Sequence, residues 1–141
     1  MFLVSLVNML VAAVAVLIHY EFLYRVTQLV PRLNLAYRYR ILVGVFAAII
    51  AHAVEVWVFA VAYYWMSRTE GWGQLEGGFE GTLLDCVYFS FTVFTTLGLG
   101  DIHPVGDLRY LTGIESLTGL VLITWTASFL YLEMRSHWET R

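Results

Sequence analysis

Three long apolar runs alternate with short polar stretches along the chain. They cover residues 2–24, 41–66 and 108–132. Each reaches the roughly 20 residues that a helix needs to cross a hydrocarbon core about 30 Å thick. A fourth apolar run, residues 82–94, is aromatic but short, and such runs are typical of re-entrant or protein-buried segments. The pattern predicts an all-α membrane protein with three transmembrane helices and one short helix.

The charges between these runs indicate the orientation. Positively charged loops stay cytoplasmic, and acids dominate the segment between the second and third spans. We therefore expect the N-terminus outside, residues 25–40 inside, residues 67–81 outside and the C-terminus inside. These positions agree only if residues 82–100 enter the membrane and return to the same side. Six of the eight arginines lie on the predicted inner side, namely Arg25, Arg32, Arg38, Arg40, Arg135 and Arg141.

Composition narrows the class of protein further. Hydrophobic residues make up 60% of the 141 residues and charged residues only 13%, which a soluble domain of this size could not accommodate. The first span lacks the basic start and small-residue cleavage site of a signal peptide, so we expect it to be retained. Cys86 is the single cysteine and excludes an intrachain disulfide. No basic patch with interleaved aromatic residues indicates a nucleic-acid partner.

The stretch TTLGLGD, residues 95–101, places two glycines directly after the short apolar run. Gly98 and Gly100 permit dihedral angles that other residues avoid, so successive carbonyls can face the same way. Non-helical backbone is tolerated at membrane depth only where it lines water or is buried in protein. A column of carbonyl oxygens requires a cation as its partner. Because one chain cannot surround an ion, we expect several copies in cyclic symmetry.

TTLGLGD resembles the filter of potassium channels, usually written TVGYGD or TIGFGD. The resemblance extends over residues 81–134, includes the second span as an outer helix, and leaves out residues 1–40. It is closest to small prokaryotic two-transmembrane channels, here with an additional N-terminal helix. It implies a homotetramer surrounded by lipid in a prokaryotic cytoplasmic membrane. The implied parts are an N-terminal helix and linker (1–40) and a pore domain (41–141) with outer helix 41–66, external turret 67–81, pore helix 82–95, filter 96–101 and inner helix 108–134.

The resemblance also implies a role for each filter residue. K⁺ would be held by backbone carbonyls, as in the family, with the Thr96 hydroxyl at the innermost site and Gly100 at the outer mouth. Thr95 would back the filter, and Asp101 would hydrogen-bond behind it and concentrate cations. Tyr88 and Phe89 match the aromatic pair that packs around the filter. The implied ion-binding residues are Thr96, Leu97, Gly98, Leu99 and Gly100.

Leu99 departs from the family pattern, which usually has tyrosine or phenylalanine at that position. Leucine fills less volume and has no hydroxyl, so the rigidity of the filter and its preference for K⁺ over Na⁺ are open. We expect a K⁺-selective channel with K⁺ as its permeant ion. The alternatives are a weakly selective Na⁺/K⁺ channel and a non-conducting membrane subunit with a pore-like fold.

Small and polar residues interrupt the third span. The resemblance makes Gly119 the hinge of the inner helix, and Ile123, Ala127 and Tyr131 the lining of the cavity and gate. Their spacing of four places these three on one helical face. Tyr131 is the bulkiest and the nearest to the cytoplasm, so it is the candidate constriction. Close packing of helices on small residues is the alternative interpretation.

Ionisable residues inside the predicted spans are functional candidates by default. His52 and Glu55 lie three apart on one helical face and form a structural pair or, together with Glu115, a candidate pH sensor. Two ligands are too few for a closed zinc site. A membrane metalloenzyme would also need His19, which is predicted at a different depth from His52. The chain has no phosphate loop and no HExxH helix, so we expect no enzyme, no organic cofactor and no small-molecule substrate.

Overall fold

The computed structural model describes residues 2–138 and is mostly helical. Three of its helices are long and apolar enough to cross a membrane, which confirms the predicted number of candidate spans. A short helix lies between the second and third of them. In chain order the elements are α1 (Phe2–Leu29), a 3₁₀ turn (Val30–Arg32), α2 (Tyr37–Met66), β1 (Gln74–Gly77), α3 (Leu83–Phe94), β2 (Ile102–Val105) and α4 (Leu108–Trp138).

The linker between α1 and α2 is shorter than the apolar pattern predicts. α1 continues to Leu29 and is followed directly by the 3₁₀ turn, which contains Pro31. Proline disfavours α-helical geometry in the residue before it, so the regular helix ends just ahead of it. Ala36 is extended and precedes the first residue of α2, Tyr37. Seven residues, 30–36, therefore connect two long helices, and the first three of them form the 3₁₀ turn.

α1 packs against both α2 and α4, while most of its surface stays exposed. Its buried side chains form one stripe, namely Val4, Asn8, Ala15, His19 and Leu23. The amide of Asn8 is fully buried, and it has no hydrogen-bond partner among the residues that the structure describes. The remaining apolar side chains of α1 are available to lipid.

The short helix α3 lies against α2 and α4 and has a well-defined start. The Thr82 hydroxyl accepts a hydrogen bond from the Asp85 backbone N–H, and the Asp85 carboxylate accepts one from the Thr82 N–H, both at 3.1 Å. This reciprocal cap satisfies N–H groups that a helix start leaves without partners. The Thr82 backbone N–H, the Thr82 hydroxyl and the Glu80 N–H together lower the pKa of Asp85.

The Gly-rich segment 67–81 contains a strand, although the sequence indicates little structure of its own there. β1 pairs antiparallel with β2, with Gln74 opposite Val105 and Gly77 opposite Ile102. Gly73 has a φ of 102°, and a β-carbon there would lie 2.3 Å from the Val105 carbonyl oxygen. Glycine is therefore required at residue 73 because two backbones approach closely there. The segment 67–81 thus has regular structure, which packs against residues 102–105.

Candidate functional site

The segment 95–101 leaves the end of α3 and returns toward β2. Its first half is tied to α3, because the Thr96 N–H donates to the Val93 carbonyl at 2.9 Å and the Gly98 N–H donates to the Thr92 carbonyl at 3.0 Å. The chain then enters β2 at Ile102, opposite Gly77 of β1. The strands that flank α3 and this segment are thus hydrogen-bonded to each other, so the chain enters and leaves the region at one end of the molecule.

The sign of the backbone angle φ alternates along residues 96–100. Thr96, Gly98 and Gly100 have φ values of 59°, 56° and 81°, whereas Leu97 and Leu99 do not have positive φ. Alternation between left- and right-handed residues turns successive N–H groups to one side and carbonyls to the other. Thr96 is the one non-glycine residue with positive φ within residues 2–138. Such strained backbone clusters at functional sites, and here it belongs to a residue predicted to bind an ion.

Asp101 is held at the far end of the segment by two elements. Its carboxylate accepts a hydrogen bond of 2.7 Å from the Tyr88 hydroxyl of α3. Its backbone carbonyl accepts one of 2.8 Å from the Gly78 N–H. The bond to Asp101 raises the pKa of Tyr88, because it favours the protonated phenol. The structure therefore fixes this acid beside the predicted filter.

Phe89 and Thr95 have their observed partners within the helices. Phe89 is buried, and its ring packs edge-on against that of Tyr63 in α2 with the centroids 5.0 Å apart. The Thr95 hydroxyl donates to the Phe91 carbonyl, one turn back, at 2.7 Å. Of the predicted aromatic pair, Tyr88 has a partner in the segment 95–101, and Phe89 packs edge-on against α2.

α4 comes close to the end of α3 at Gly119. A β-carbon at that position would lie 2.2 Å from the Phe94 carbonyl oxygen. α4 runs through Gly119 without interruption. The predicted lining residues Ile123, Ala127 and Tyr131 share an exposed face of α4, whereas Leu122 and Thr126 are buried. The predicted cavity face is therefore free of the chain's own packing.

Glu115 is fully buried between three helices. The Tyr63 hydroxyl of α2 donates to its carboxyl group at 2.6 Å, and the Ser90 hydroxyl of α3 contacts its other oxygen. Ser90 also lies 2.9 Å from the Val56 carbonyl oxygen. The one hydroxyl proton of Ser90 can go to a single acceptor, so its second contact requires a proton on Glu115. The geometry indicates a neutral carboxyl group that donates to Ser90.

His19, His52 and Glu55 come together around one carboxylate. Nδ1 of His19 lies 2.8 Å from one Glu55 oxygen, and Nδ1 of His52 lies 2.9 Å from the other. The two rings are stacked with their centroids 5.3 Å apart. Thr126 of α4 contacts the opposite edge of both rings, with its hydroxyl oxygen 3.3 Å from Nε2 of His19 and 3.1 Å from Nε2 of His52.

The prediction that His19 and His52 lie at different depths is wrong. With its 3₁₀ turn, the first span reaches Arg32, 13 residues beyond His19 (32 − 19). His52 lies 15 residues after the first residue of α2 (52 − 37). Counted from the linker, the two histidines therefore lie at nearly the same depth along their helices. Glu115 does not join them, because its partners are Tyr63 and Ser90, so the three candidate pH-sensing residues divide into two separate sites.

Three polar residues of these sites, Tyr63, Ser90 and Thr126, are not predicted from the sequence. Each is a single hydroxyl within an apolar helix, and such residues are ordinary at helix contacts. The available signal is that Ser90 and Thr126 interrupt segments otherwise dominated by large apolar side chains. That signal alone does not say which helix each hydroxyl faces.

Comparison with known families gives one match. A family model described as Ion channel, of the two-transmembrane pore-loop type, matches residues 39–134, which cover α3, the segment 95–101 and most of α2 and α4. No curated protein and no solved structure matches the chain. The matched region contains the alternating backbone and the Tyr88–Asp101 bond, and it is more than half of the chain. The protein therefore belongs to the pore-loop ion channel family, carrying α1 as an additional N-terminal helix.

Proposed function

We propose that four copies of this chain form a cation channel selective for K⁺. The observation that carries the proposal is the alternating hand of Thr96, Gly98 and Gly100. Around a fourfold axis, the carbonyls turned to one side of each segment would form rings of oxygens. Such rings replace the hydration shell of a K⁺ ion. The conducting residues would be Thr96, Leu97, Gly98, Leu99 and Gly100.

Several features outside the filter support a pore of this kind. Pairing of β1 with β2 brings both ends of the α3 region together, as a re-entrant segment requires. The side chains of Leu97 and Leu99 are 64% and 58% exposed in the single chain, which leaves them free to pack against neighbouring copies. Ile123, Ala127 and Tyr131 would line the cavity. The arginine distribution supports a cytoplasmic membrane with α1 starting outside and α4 ending inside.

Leu99 favours a second candidate, a weakly selective cation channel. An aromatic ring at this position would pack beside the filter, and the exposed leucine fills less of that space. The Tyr88–Asp101 bond supports the filter without involving residue 99. Because this bond does not depend on residue 99, we still expect the channel to select K⁺ with leucine at that position.

A reversal potential tests the proposal. The purified protein is placed in a planar bilayer with K⁺ on one side and Na⁺ on the other. A K⁺-selective channel should give a reversal potential far from zero, with the K⁺ side negative. A current that reverses near zero indicates the weakly selective channel. Absence of flux from a correctly folded protein indicates a non-conducting subunit. Gly98→Ala should abolish the current because of its positive φ, and Gly113→Ala, where a β-carbon meets no atom within 4 Å, is the matched control.

A further inference from the structure

A cluster away from the filter joins the additional helix α1 to the pore domain. His19 and Glu55 are completely buried, and the His52 side chain is 21% exposed. One ligand atom from each of these three residues lies within 4.8 Å of the others. Thr126 reaches the cluster from α4. Residues from three helices thus converge on one point between α1, α2 and α4.

The four polar contacts of this cluster need more hydrogen-bond protons than its neutral imidazoles and the Thr126 hydroxyl carry. A neutral imidazole carries one N–H. If both Nδ1 atoms donate to Glu55, both Nε2 atoms are acceptors, and both face the single hydroxyl proton of Thr126. One buried Nε2 then lacks a donor, which is costly. The cluster is complete only if it takes up one further cation, either a proton on a ring or on Glu55, or a metal ion.

A metal ion satisfies every ring nitrogen. The two Nδ1 atoms and a Glu55 oxygen would be its ligands, and both Nε2 atoms would carry protons. The Thr126 oxygen has two lone pairs and can accept from both Nε2–H groups at the observed distances of 3.3 and 3.1 Å. Histidines that bind metals almost always donate their other ring N–H to such a partner. Thr126 therefore occupies the place of an orienting residue.

We propose that His19, His52 and Glu55 bind one divalent transition metal ion of the Zn²⁺ class in each chain. Two imidazoles and one carboxylate are a donor set typical of Zn²⁺, with a fourth position left for water. Ligand atoms around a tetrahedral Zn²⁺ lie about 3.3 Å apart, given bond lengths of about 2.0 Å. The two Nδ1 atoms lie 2.8 and 2.9 Å from different oxygens of Glu55, and the ligand atoms of the three residues lie within 4.8 Å of one another, so the rings and the carboxylate must rearrange to admit the ion. His52, the partly exposed ligand, provides the side from which the ion enters.

The proposed ion would connect α1 to the pore-lining helix. It would bridge α1 and α2 directly, and the two ring N–H groups would hold Thr126 of α4. Thr126 precedes Ala127, which belongs to the exposed face that contains Ile123 and Tyr131. Occupancy of the site would thus restrain the helix that lines the predicted cavity from behind.

Metal binding is measured on the full-length protein, purified through an affinity tag that contains no histidine. The protein is treated with a chelator and then titrated with Zn²⁺ or Co²⁺. We expect one ion per chain by elemental analysis and the intense visible absorption of tetrahedral Co²⁺. His19→Gln and Glu55→Gln should lose both signals. His103→Gln is the matched control, because His103 lies exposed on β2 and should leave both unchanged.

Thr126→Val separates a metal site from a structural contact. It keeps all three ligands and removes the acceptor of both ring N–H groups, so affinity should fall about 10- to 100-fold while the stoichiometry stays at one. The proposal is overturned if the wild-type protein gives no Co²⁺ absorption, or binds no more metal than His19→Gln does. Either result means that the cluster holds an additional proton. Neither measurement uses ion current, so failure of the channel proposal would leave this result intact.

Discussion

Gly119 of α4 lies directly against the carbonyl group of Phe94, the last residue of α3. A β-carbon at residue 119 would be 2.2 Å from that oxygen and 3.0 Å from the α-carbon of Phe94. These are backbone atoms, which cannot rotate away as a side chain could. The contact sets how closely α4 approaches the start of the segment 95–101.

Gly119→Ala should therefore destabilise the protein, because α3 or α4 must move to admit the methyl group. Overpacking of this kind costs about 1–3 kcal/mol. Gly113→Ala on the same helix meets no atom and should gain up to about 1 kcal/mol from helix propensity. The thermal unfolding midpoints of both variants in detergent provide the comparison. Equal midpoints would show that α4 yields freely at Gly119.

Tyr88→Phe should reduce the selectivity of the pore without abolishing conduction. It removes the hydroxyl that donates to Asp101 at 2.7 Å, while the backbone bond from Gly78 to Asp101 remains. Asp101, at the far end of the predicted filter, then has one restraint instead of two. The permeability ratio of K⁺ to Na⁺, from reversal potentials, should fall several-fold. Tyr20→Phe, on the exposed face of α1, is the control and should keep the wild-type ratio.

Glu115→Gln should be tolerated, whereas Glu115→Leu should not. Glutamine can donate to Ser90 and accept from Tyr63, as the neutral carboxyl group does. Leucine has a similar volume but removes the acceptor of the Tyr63 hydroxyl and the Glu115 partner of Ser90. Tyr63 then keeps only its 3.3 Å contact with Thr112, and Ser90 keeps only the Val56 carbonyl, so we expect a loss of about 1–3 kcal/mol. Unfolding midpoints of the two variants test this difference. An equally large loss in both would indicate that Glu115 is needed as a charged carboxylate.

Asp85→Asn should weaken the start of α3 in a pH-dependent way. The folded pKa of Asp85 is lowered by the N–H groups of its cap, so its stabilisation is present above the ordinary value of about 3.9. It is lost as the pH falls through the lowered value. Because Asp85 is only partly buried and solvent screens its charge, we expect less than about 1 kcal/mol at neutral pH. The difference in midpoint between wild type and variant should shrink in acid. A constant difference from neutral pH to strong acid would contradict this assignment, and Glu70→Gln, an exposed carboxylate outside α3, is the control.

Tyr131→Ala should raise the basal open probability of the channel. Tyr131 is the bulkiest of the three residues on the predicted cavity face and is 58% exposed in the single chain. Truncation would widen the constriction if four such rings meet there. Single-channel recordings give the open probability directly. Leu132→Ala removes a similarly exposed side chain on a different helical face and should leave gating unchanged, and an unchanged value in Tyr131→Ala would remove this residue from the gate.

The parts of the fold that depend on local pattern could be predicted from the sequence. Apolar length identified three candidate spans, and the residues Gly98 and Gly100 indicated unusual backbone in a short return segment. The capped start of α3 also follows from local residues, since Thr82 and Asp85 lie three apart. Each of these properties is decided within about one helix length, so a single sequence contains the information.

The remaining features depend on contacts between distant residues. Pairing of Gln74 with Val105 joins two four-residue strands that no local propensity identifies. The buried stripe of α1 is equally invisible, because its lipid-facing side chains are as apolar as its buried ones. The levels of His19 and His52 depend on the 3₁₀ turn at Pro31, whose effect on helix length cannot be read from hydrophobicity. Small errors in the predicted helix ends therefore placed His19 and His52 at different depths, although their rings are stacked.

The meeting of His19 with Glu55 has a consequence for biogenesis. The two residues are 36 positions apart in the chain, and ribosomes add about 5–20 residues per second. His19 thus emerges about two to seven seconds before its carboxylate partner. During that interval the insertion machinery handles α1 while its polar residue His19 has no Glu55 carboxylate to contact. Stable integration of the first helix should therefore wait for the second, so that α1 and α2 enter the bilayer as a hairpin.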